Sequence, residues 1–343
     1  MKKRGSLKKW LCMVLSAVIM FSSVCVIPTN AASESVSKTY NGKWTYYAVG
    51  STIYKVDSTT GKSKKIKQIN KVHQILDIVY HAGYLYFTAN YFYGPDNGGN
   101  VRICRMKTDG SDYKKMGQGS VPVIYDNKIY YLKSKHVTTS EGDRDELIGI
   151  ACMSLTGKNS KLIIKNSTDY GLDFSLGVVN GKLFYTQMQG QNGDTALMSY
   201  DIKNKETEKV FTNSCSVNLS GFDQTYVYMS AADNEIVAYN TKTGKVYEKV
   251  INKGVNAVNG WNGIMYFINN DDNATYAYNV KTDKVTTFLK NKRVNEMIFS
   301  KSGYQVVNTL FTMKQFEANG YQYAMEKACV KLKGKGYKSL NKY

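Results

Sequence analysis

Seven times along this sequence a tight turn is followed by an aromatic, strand-forming run, and no other feature restricts the fold as strongly. Asn41-Gly42 precedes Trp44-Thr45-Tyr46-Tyr47, Ala82-Gly83 precedes Tyr84-Leu85-Tyr86-Phe87, and Asp126-Asn127 precedes Ile129-Tyr130-Tyr131-Leu132. Asn180-Gly181, Asp223-Gln224, Asn262-Gly263 and Ser302-Gly303 open the other four units, ahead of Leu183-Phe184-Tyr185, Tyr226-Val227-Tyr228, Ile264-Met265-Tyr266-Phe267 and Tyr304-Gln305-Val306. Asn-Gly and similar pairs tolerate positive φ and close tight hairpins, and the residues after them favour strands. Each unit therefore begins with a hairpin.

A second signature lies downstream, where a strand runs into a polar turn and then a Lys-rich strand. Examples are Asp57 before Thr60-Gly61-Lys62, Lys107 before Asp109-Gly110-Ser111, and Asn240 before Thr243-Gly244-Lys245. The equivalent positions Asp57, Lys107, Ser154, Asp201, Asn240, Asn279 and Lys331 are 50, 47, 47, 39, 39 and 52 residues apart. Periods of that size with four strands per unit mean propeller blades. One small sheet cannot bury both of its faces, whereas seven arranged radially cover one another. The expected fold is all-β: a single β-propeller of four-stranded blades at 39–71, 72–119, 120–167, 168–214, 215–253, 254–291 and 292–343. The strand before Asn41 is a candidate to complete the last blade.

The N-terminus reads differently. Lys2, Lys3, Arg4, Lys8 and Lys9 precede an apolar run from Trp10 to Ile27 and a small-residue exit at Ala31-Ala32, the pattern of a signal peptide over residues 1–32. An uncleaved anchor is the alternative, but Ser16, Ser22 and Ser23 dilute the run. Residues 33–343 would then be the propeller domain, secreted and with a formal charge of +14 in place of +19. Cys104, Cys152, Cys215 and Cys329 remain in that domain, and their places in the repeat set them too far apart to pair. All four are expected to be free and buried.

The stretch Val101-Arg102-Ile103-Cys104-Arg105-Met106-Lys107-Thr108-Asp109-Gly110-Ser111-Asp112-Tyr113-Lys114-Lys115-Met116 resembles the repeat of an uncharacterised family of secreted bacterial propellers. That repeat reads I-Y-Y, then Y-R-M-x-x-D-G-S-x-x-K-K-L, and is related to the YWTD propellers of low-density-lipoprotein receptors. The resemblance implies a propeller outside the cell and carries no catalytic residue with it. YWTD rings have six blades, so six remains open beside seven.

Catalysis would need converging acids, bases or a metal. The three histidines, His73, His81 and His136, match no ligand spacing, and the acidic stretches 141–146 and 271–273 lack a calcium-loop pattern. No catalytic residue, metal or cofactor is assigned. The expected role is a non-catalytic binding or scaffolding protein of the cell envelope, secreted and monomeric, that recognises a carbohydrate or protein. The alternative is a propeller hydrolase or lyase acting on an extracellular polysaccharide or peptide, with acids converging on the central channel. Long connections between the second and third strands of blades two, three and four, at about 89–100, 134–147 and 187–195, mark the expected ligand face. Tyr91, Phe92 and Tyr93 would offer aromatic faces to a sugar, and Asn97, Asn100, Gln187, Gln189, Gln191 and Asn192 paired donors and acceptors. Asp143, Arg144 and Asp145 would supply charge. Regularly placed lysines, among them Lys62, Lys64, Lys65, Lys67, Lys114 and Lys115, should ring the perimeter near one face. There they either block edge-to-edge aggregation or hold an anionic wall polymer. No nucleic-acid motif is present.

Overall fold

The computed structural model describes residues 38–342 apart from 93–98, 141, 168–170, 190–193, 213–216, 232–233, 252–254, 270–272, 319, 321 and 323. Blade 1 consists of β1 (Tyr40–Asn41), β2 (Trp44–Val49), β3 (Thr52–Asp57) and β4 (Ser63–Gln68). Blade 2 follows with β5 (Val72–His81), β6 (Tyr84–Phe92), β7 (Gly99–Lys107) and the first part of β8 (Lys114–Tyr125). The rest of β8 is the inner strand of blade 3, beside β9 (Lys128–Thr139), β10 (Gly142–Ser154) and β11 (Lys161–Lys165). Blade 4 has β12 (Leu172–Val179), β13 (Lys182–Met188), β14 (Thr195–Asp201) and β15 (Glu206–Thr212). Blade 5 has β16 (Val217–Phe222), β17 (Tyr226–Ala231), β18 (Glu235–Asn240) and β19 (Val246–Val250). Blade 6 has β20 (Val255–Trp261), β21 (Ile264–Asn269), β22 (Thr275–Asn279) and β23 (Lys284–Leu289). Blade 7 has β24 (Arg293–Ile298), β25 (Tyr304–Leu310), the short helix α1 (Met313–Ala318), β26 (Met325–Lys331) and β27 (Lys338–Lys342).

All neighbouring strands pair antiparallel in chain order. Because β8 serves two blades, blades 2 and 3 form one continuous seven-stranded sheet. The handover falls at Gly119, whose φ of +141° and a Leu132 carbonyl oxygen 2.1 Å from any added Cβ exclude a side chain. No helix among the described residues is long and apolar enough to cross a membrane.

The aromatic doublets of the repeat now have a physical reason. Successive strand residues point to opposite faces, so a doublet on the second strand places one ring in each of the two gaps beside its blade. Tyr46 packs towards blade 2 and Tyr47 towards blade 7. Phe87 faces blade 1 and Tyr86 faces blade 3, while Tyr185 and Phe184 divide the gaps on either side of blade 4. Seven apolar clusters result, one in each gap around the ring. That count favours seven blades over six.

Ring closure departs from the expectation. β1 pairs with β2 and leaves the last blade with its own four strands. Blades 7 and 1 instead meet side to side through Tyr47, Val56, Tyr304, Val306 and Cys329. The Tyr304 amide donates to the Ser58 carbonyl (2.6 Å), and the Tyr47 hydroxyl donates to Asn341 Oδ1 (2.9 Å). Lys38 forms a β-bridge with Tyr80 of blade 2.

Two kinds of turn join third and fourth strands. Where the turn opens on Asp57, Asp201, Asn240 or Asn279, the side-chain Oδ1 accepts the amides two and three residues on. The left-handed residue is then the fifth of the turn: Gly61, Lys205, Gly244 or Asp283. Where the turn opens on Lys107, Ser154 or Lys331, the amide three residues on bonds back to its carbonyl, and Gly110, Gly157 or Gly334 is left-handed. The presence of a short Asx side chain selects the longer turn.

The expected long loops are also corrected. In blade 3 most of 134–147 is a regular hairpin extension, with β9 and β10 paired from Ser154↔Lys128 out to Gly142↔Thr139. Val137, Thr138 and Thr139 favour strand and continue the ladder. In blade 2, β6 and β7 run in register to Phe92↔Gly99. Blade 7 carries the long connection that sequence reading missed, residues 311–324 around α1. Cys104, Cys152 and Cys329 are free thiols as expected, although Cys152 is only half-buried; Cys215 lies outside the described residues.

Candidate functional site: the central channel

The seven inner strands surround a cavity of about 600 Å³. Close packing at this small radius is possible because several inner-strand residues lack a side chain. A Cβ on Gly177 would meet the Phe222 ring at 2.2 Å, and one on Gly260 the Tyr228 ring at 2.3 Å. Asn259, beside Gly260, is pinned: its Oδ1 accepts the Gly260 amide and its Nδ2 donates to the Met297 carbonyl at 2.8 Å.

Charged groups enter the channel from blades 2 and 7. Asp77 lies where the β5–β6 register shifts between Leu76 and Val79, with a φ of +50° that a regular strand does not allow. Its Oδ2 accepts from Thr88 Oγ1 (2.9 Å), and Thr88 Oγ1 in turn accepts the Val121 amide (3.0 Å). Asp77 is exposed to the channel yet enclosed by the ring. Desolvation pushes its carboxyl above the usual range, the Glu296 charge adds to this, and the Thr88 hydrogen bond opposes it.

In blade 7, Glu296, Asn308 and Lys327 stand side by side on β24, β25 and β26. The buried Lys327 ammonium donates to Glu296 Oε2. Such a charge is tolerable in a propeller wall only with a partner of this kind. Towards the hairpin-turn end, Trp261 stacks on Phe299 with ring centroids 5.3 Å apart, and Tyr40 meets it edge-on at 6.4 Å. Gln74, Gln224 and Asn295 add amides, and Leu76 adds an exposed apolar side chain. The channel thus offers aromatic and apolar wall beside donors, acceptors and two carboxylates.

None of the described residues expected to bind ligand lines this cavity. Tyr91, expected as an exposed loop aromatic, is a core residue: it is 7 % exposed, its hydroxyl bonds Tyr113, and Lys115 Nζ sits 3.9 Å from its ring centre. It lies on β6, where strand alternation turns it inward against Ile75 and Cys104. Asp145 is a structural clasp between blades 2 and 3, accepting the Val101 amide (2.7 Å) and Gln118 Nε2 (2.6 Å). That clasp brings Asn100, next to Val101, near Asp145; Arg144 is exposed on β10, and Gln187 and Gln189 are half-buried at the end of blade 4. Phe92 and Asp143 lie on β6 and β10, their side chains outside the description, and Tyr93, Asn97, Gln191 and Asn192 are outside the described residues.

Sequence reading missed Asp77, Glu296 and Lys327. A signal was present for two of them: Asp77 interrupts the apolar run Ile75 to Val79, and Lys327 sits beside the apolar run Ala328-Cys329-Val330 in one strand. No group of three or more His, Cys, Asp or Glu side chains among the described residues is placed to hold a metal.

No family model and no curated protein matches the chain. Among solved structures it is similar to an oligogalacturonate lyase in complex with manganese, with a TM-score of 0.56 and 10% identity over 89% of this chain and 86% of that one. It is also similar to dipeptidyl peptidase 4 of Porphyromonas gingivalis, with a TM-score of 0.50 and 10% identity. This match covers 90% of the chain but only 53% of the peptidase, so the chain spans about half of that protein. A chain of the nidogen/laminin complex matches with a TM-score of 0.45 and 13% identity over 72% of this chain and 93% of its own length. At such identities the likeness establishes the fold alone. The molecule is a β-propeller with a polar, partly aromatic central channel.

Proposed function

We propose that this chain is a secreted, non-catalytic binding propeller of the cell envelope that takes a carbohydrate into its central channel. The observation that carries the reading is the composition of the channel wall: Trp261 and Tyr40 near one end, amides along it, and Asp77 and Glu296 lining the same cavity. A sugar presents C–H faces and hydroxyls, and this wall complements both. The volume of about 600 Å³ lies within the range typical of small-ligand sites.

The test is a screen of envelope glycans followed by titration of the best binder. Asp77→Asn combined with Glu296→Gln should weaken it by about tenfold or more, the worth of one or two hydrogen bonds, with thermal unfolding measured alongside because Glu296→Gln removes the carboxylate partner of the buried Lys327. Unchanged affinity in that double variant would reject the channel as the site. A second reading rests on Asp77 and Glu296 alone. A raised carboxyl beside a second one is the arrangement of a general acid with its base, so the same glycans should be incubated and checked for cleavage. Turnover that is lost in Asp77→Asn would convert the binding reading into the hydrolase or lyase reading.

A further inference from the structure

All the tight hairpin turns lie on one end of the ring, and closing the ring brings the first and last blades together there. The turn segments of those two blades and the strand ends that flank them carry Lys43, Lys62, Lys301, Lys331, Lys333, Lys335 and Lys338 against a single acid, Asp57. Asp57 is already engaged: Oδ1 accepts the Thr59 and Thr60 amides, and Lys43 lies 3.5 Å from Oδ2. The contact is intimate, since Lys338 Nζ donates to the Thr60 carbonyl at 2.7 Å and also covers the Tyr304 ring at 4.7 Å. Lys62, Lys301, Lys333 and Lys335 are exposed. In sequence, Lys62 and Lys333 are 271 residues apart, so this concentration of charge exists only in the closed ring.

We propose that the hairpin-turn face at the junction of blades 7 and 1 is a docking surface for a linear, phosphate-bearing polyanion. Two observations favour a ligand of repeated charge, and a third disfavours a membrane. The charge is unopposed over several turns, which suits a ligand with repeated charges. It is carried by lysine alone; the described arginines Arg102, Arg105, Arg144 and Arg293 all lie within strands. Lysines act as point charges without bidentate geometry, so density of charge rather than stereochemistry is recognised. A membrane is disfavoured because a surface-bound protein needs apolar side chains to insert. The large exposed apolar residues among those described, Leu76, Leu162, Met188, Val250, Val285 and Met313, sit in strands or in α1 and not in these turns.

The surface is separate from the channel, and its test does not depend on a sugar ligand. The probe is long-chain inorganic polyphosphate, titrated into the full chain at low and moderate salt. Changing Lys62, Lys301, Lys333 and Lys335 together to Gln should weaken binding by about tenfold or more and flatten its salt dependence, because fewer counterions are released. The matched control removes four lysines from the opposite end of the ring: Lys71, Lys165, Lys290 and Lys314 to Gln. It should stay within about threefold of the parent, as distant charges are screened beyond roughly 10 Å. Equal losses in both variants would mean that net charge alone is responsible, and no loss in either would mean that the junction is not the site. Either result overturns the proposal, as does binding to phosphatidylglycerol vesicles without binding to polyphosphate. Thermal unfolding of both variants confirms that each is folded.

Discussion

Individual residues in this ring are held in conformations that their side chains alone would not choose. Ala82 sits in the first hairpin of blade 2 with a φ of +45°, exposed, where the equivalent hairpins of blades 4 and 6 use Asn180 and Asn262. Asn accepts the left-handed region more readily than Ala, so Ala82→Asn should raise unfolding stability by about 0.5–1 kcal/mol in denaturant titration. Tyr91 belongs to the core between blades 1 and 2, so Tyr91→Ala should cost about 3–5 kcal/mol rather than leave unfolding unchanged. Two carboxyls titrate with opposite signs. Asp77 is raised in the fold, so its protonated form is favoured there and stability falls as pH rises from its unfolded value of 3.8 through its folded one. Asp77→Asn should therefore gain melting temperature at pH 7, and the gain should vanish near pH 4. Glu326 is the reverse. Burial would raise its carboxyl, but donors from Tyr337, Lys292 and Ser339 outweigh that and lower it. Its stabilisation is present above 4.5 and is lost as pH falls through the folded value. The melting-temperature gap between wild type and Glu326→Gln should narrow from pH 7 to pH 3.

At the scale of elements, the repeat is a set of local rules that the structure obeys almost everywhere. Hairpin turns, strand alternation and the Asx-opened turns each depend on residues within a few positions of one another, and for that reason they were legible. The strand content and the blade boundaries follow from them: blade 5 was expected at 215–253 and its strands span Val217 to Val250. The Asx turns make a specific demand. Asn279→Ala removes the acceptor for the Lys281 and Thr282 amides and should cost about 1 kcal/mol, measured by chemical unfolding. Reading failed where a stretch satisfied two local rules. Residues 134–147 are polar enough for a loop and alternate well enough for strands, and pairing between β9 and β10 decided for strands. Tyr91 was misplaced for a different reason, because the Gly-, Pro- and Asn-rich stretch that begins three residues after it suggested a loop where β6 in fact runs on to Phe92.

For the whole molecule the decisive contact is the junction of blades 7 and 1, where no strand is shared. Gly303 shows how tight it is, with a φ of +78° and the Ser58 carbonyl oxygen 2.1 Å from any Cβ. Gly303→Ala should push the two blades apart and cost more than about 2 kcal/mol, seen as a lower denaturant midpoint. Substituting Gly244, at +71° with open space around it, should cost only its backbone strain. The sequence by itself determined the blades, because each blade is one contiguous stretch whose turns and alternation are written locally, and its aromatic doublets require a neighbour on both sides. Tertiary structure alone decided what faces the channel and what covers the junction. Asp77 and Glu296 are 219 residues apart, and Lys62 and Lys333 are 271 apart. No turn or strand rule relates positions that distant; only closure of the ring, driven by burial of apolar faces between blades 7 and 1, brings their charges into one another's field.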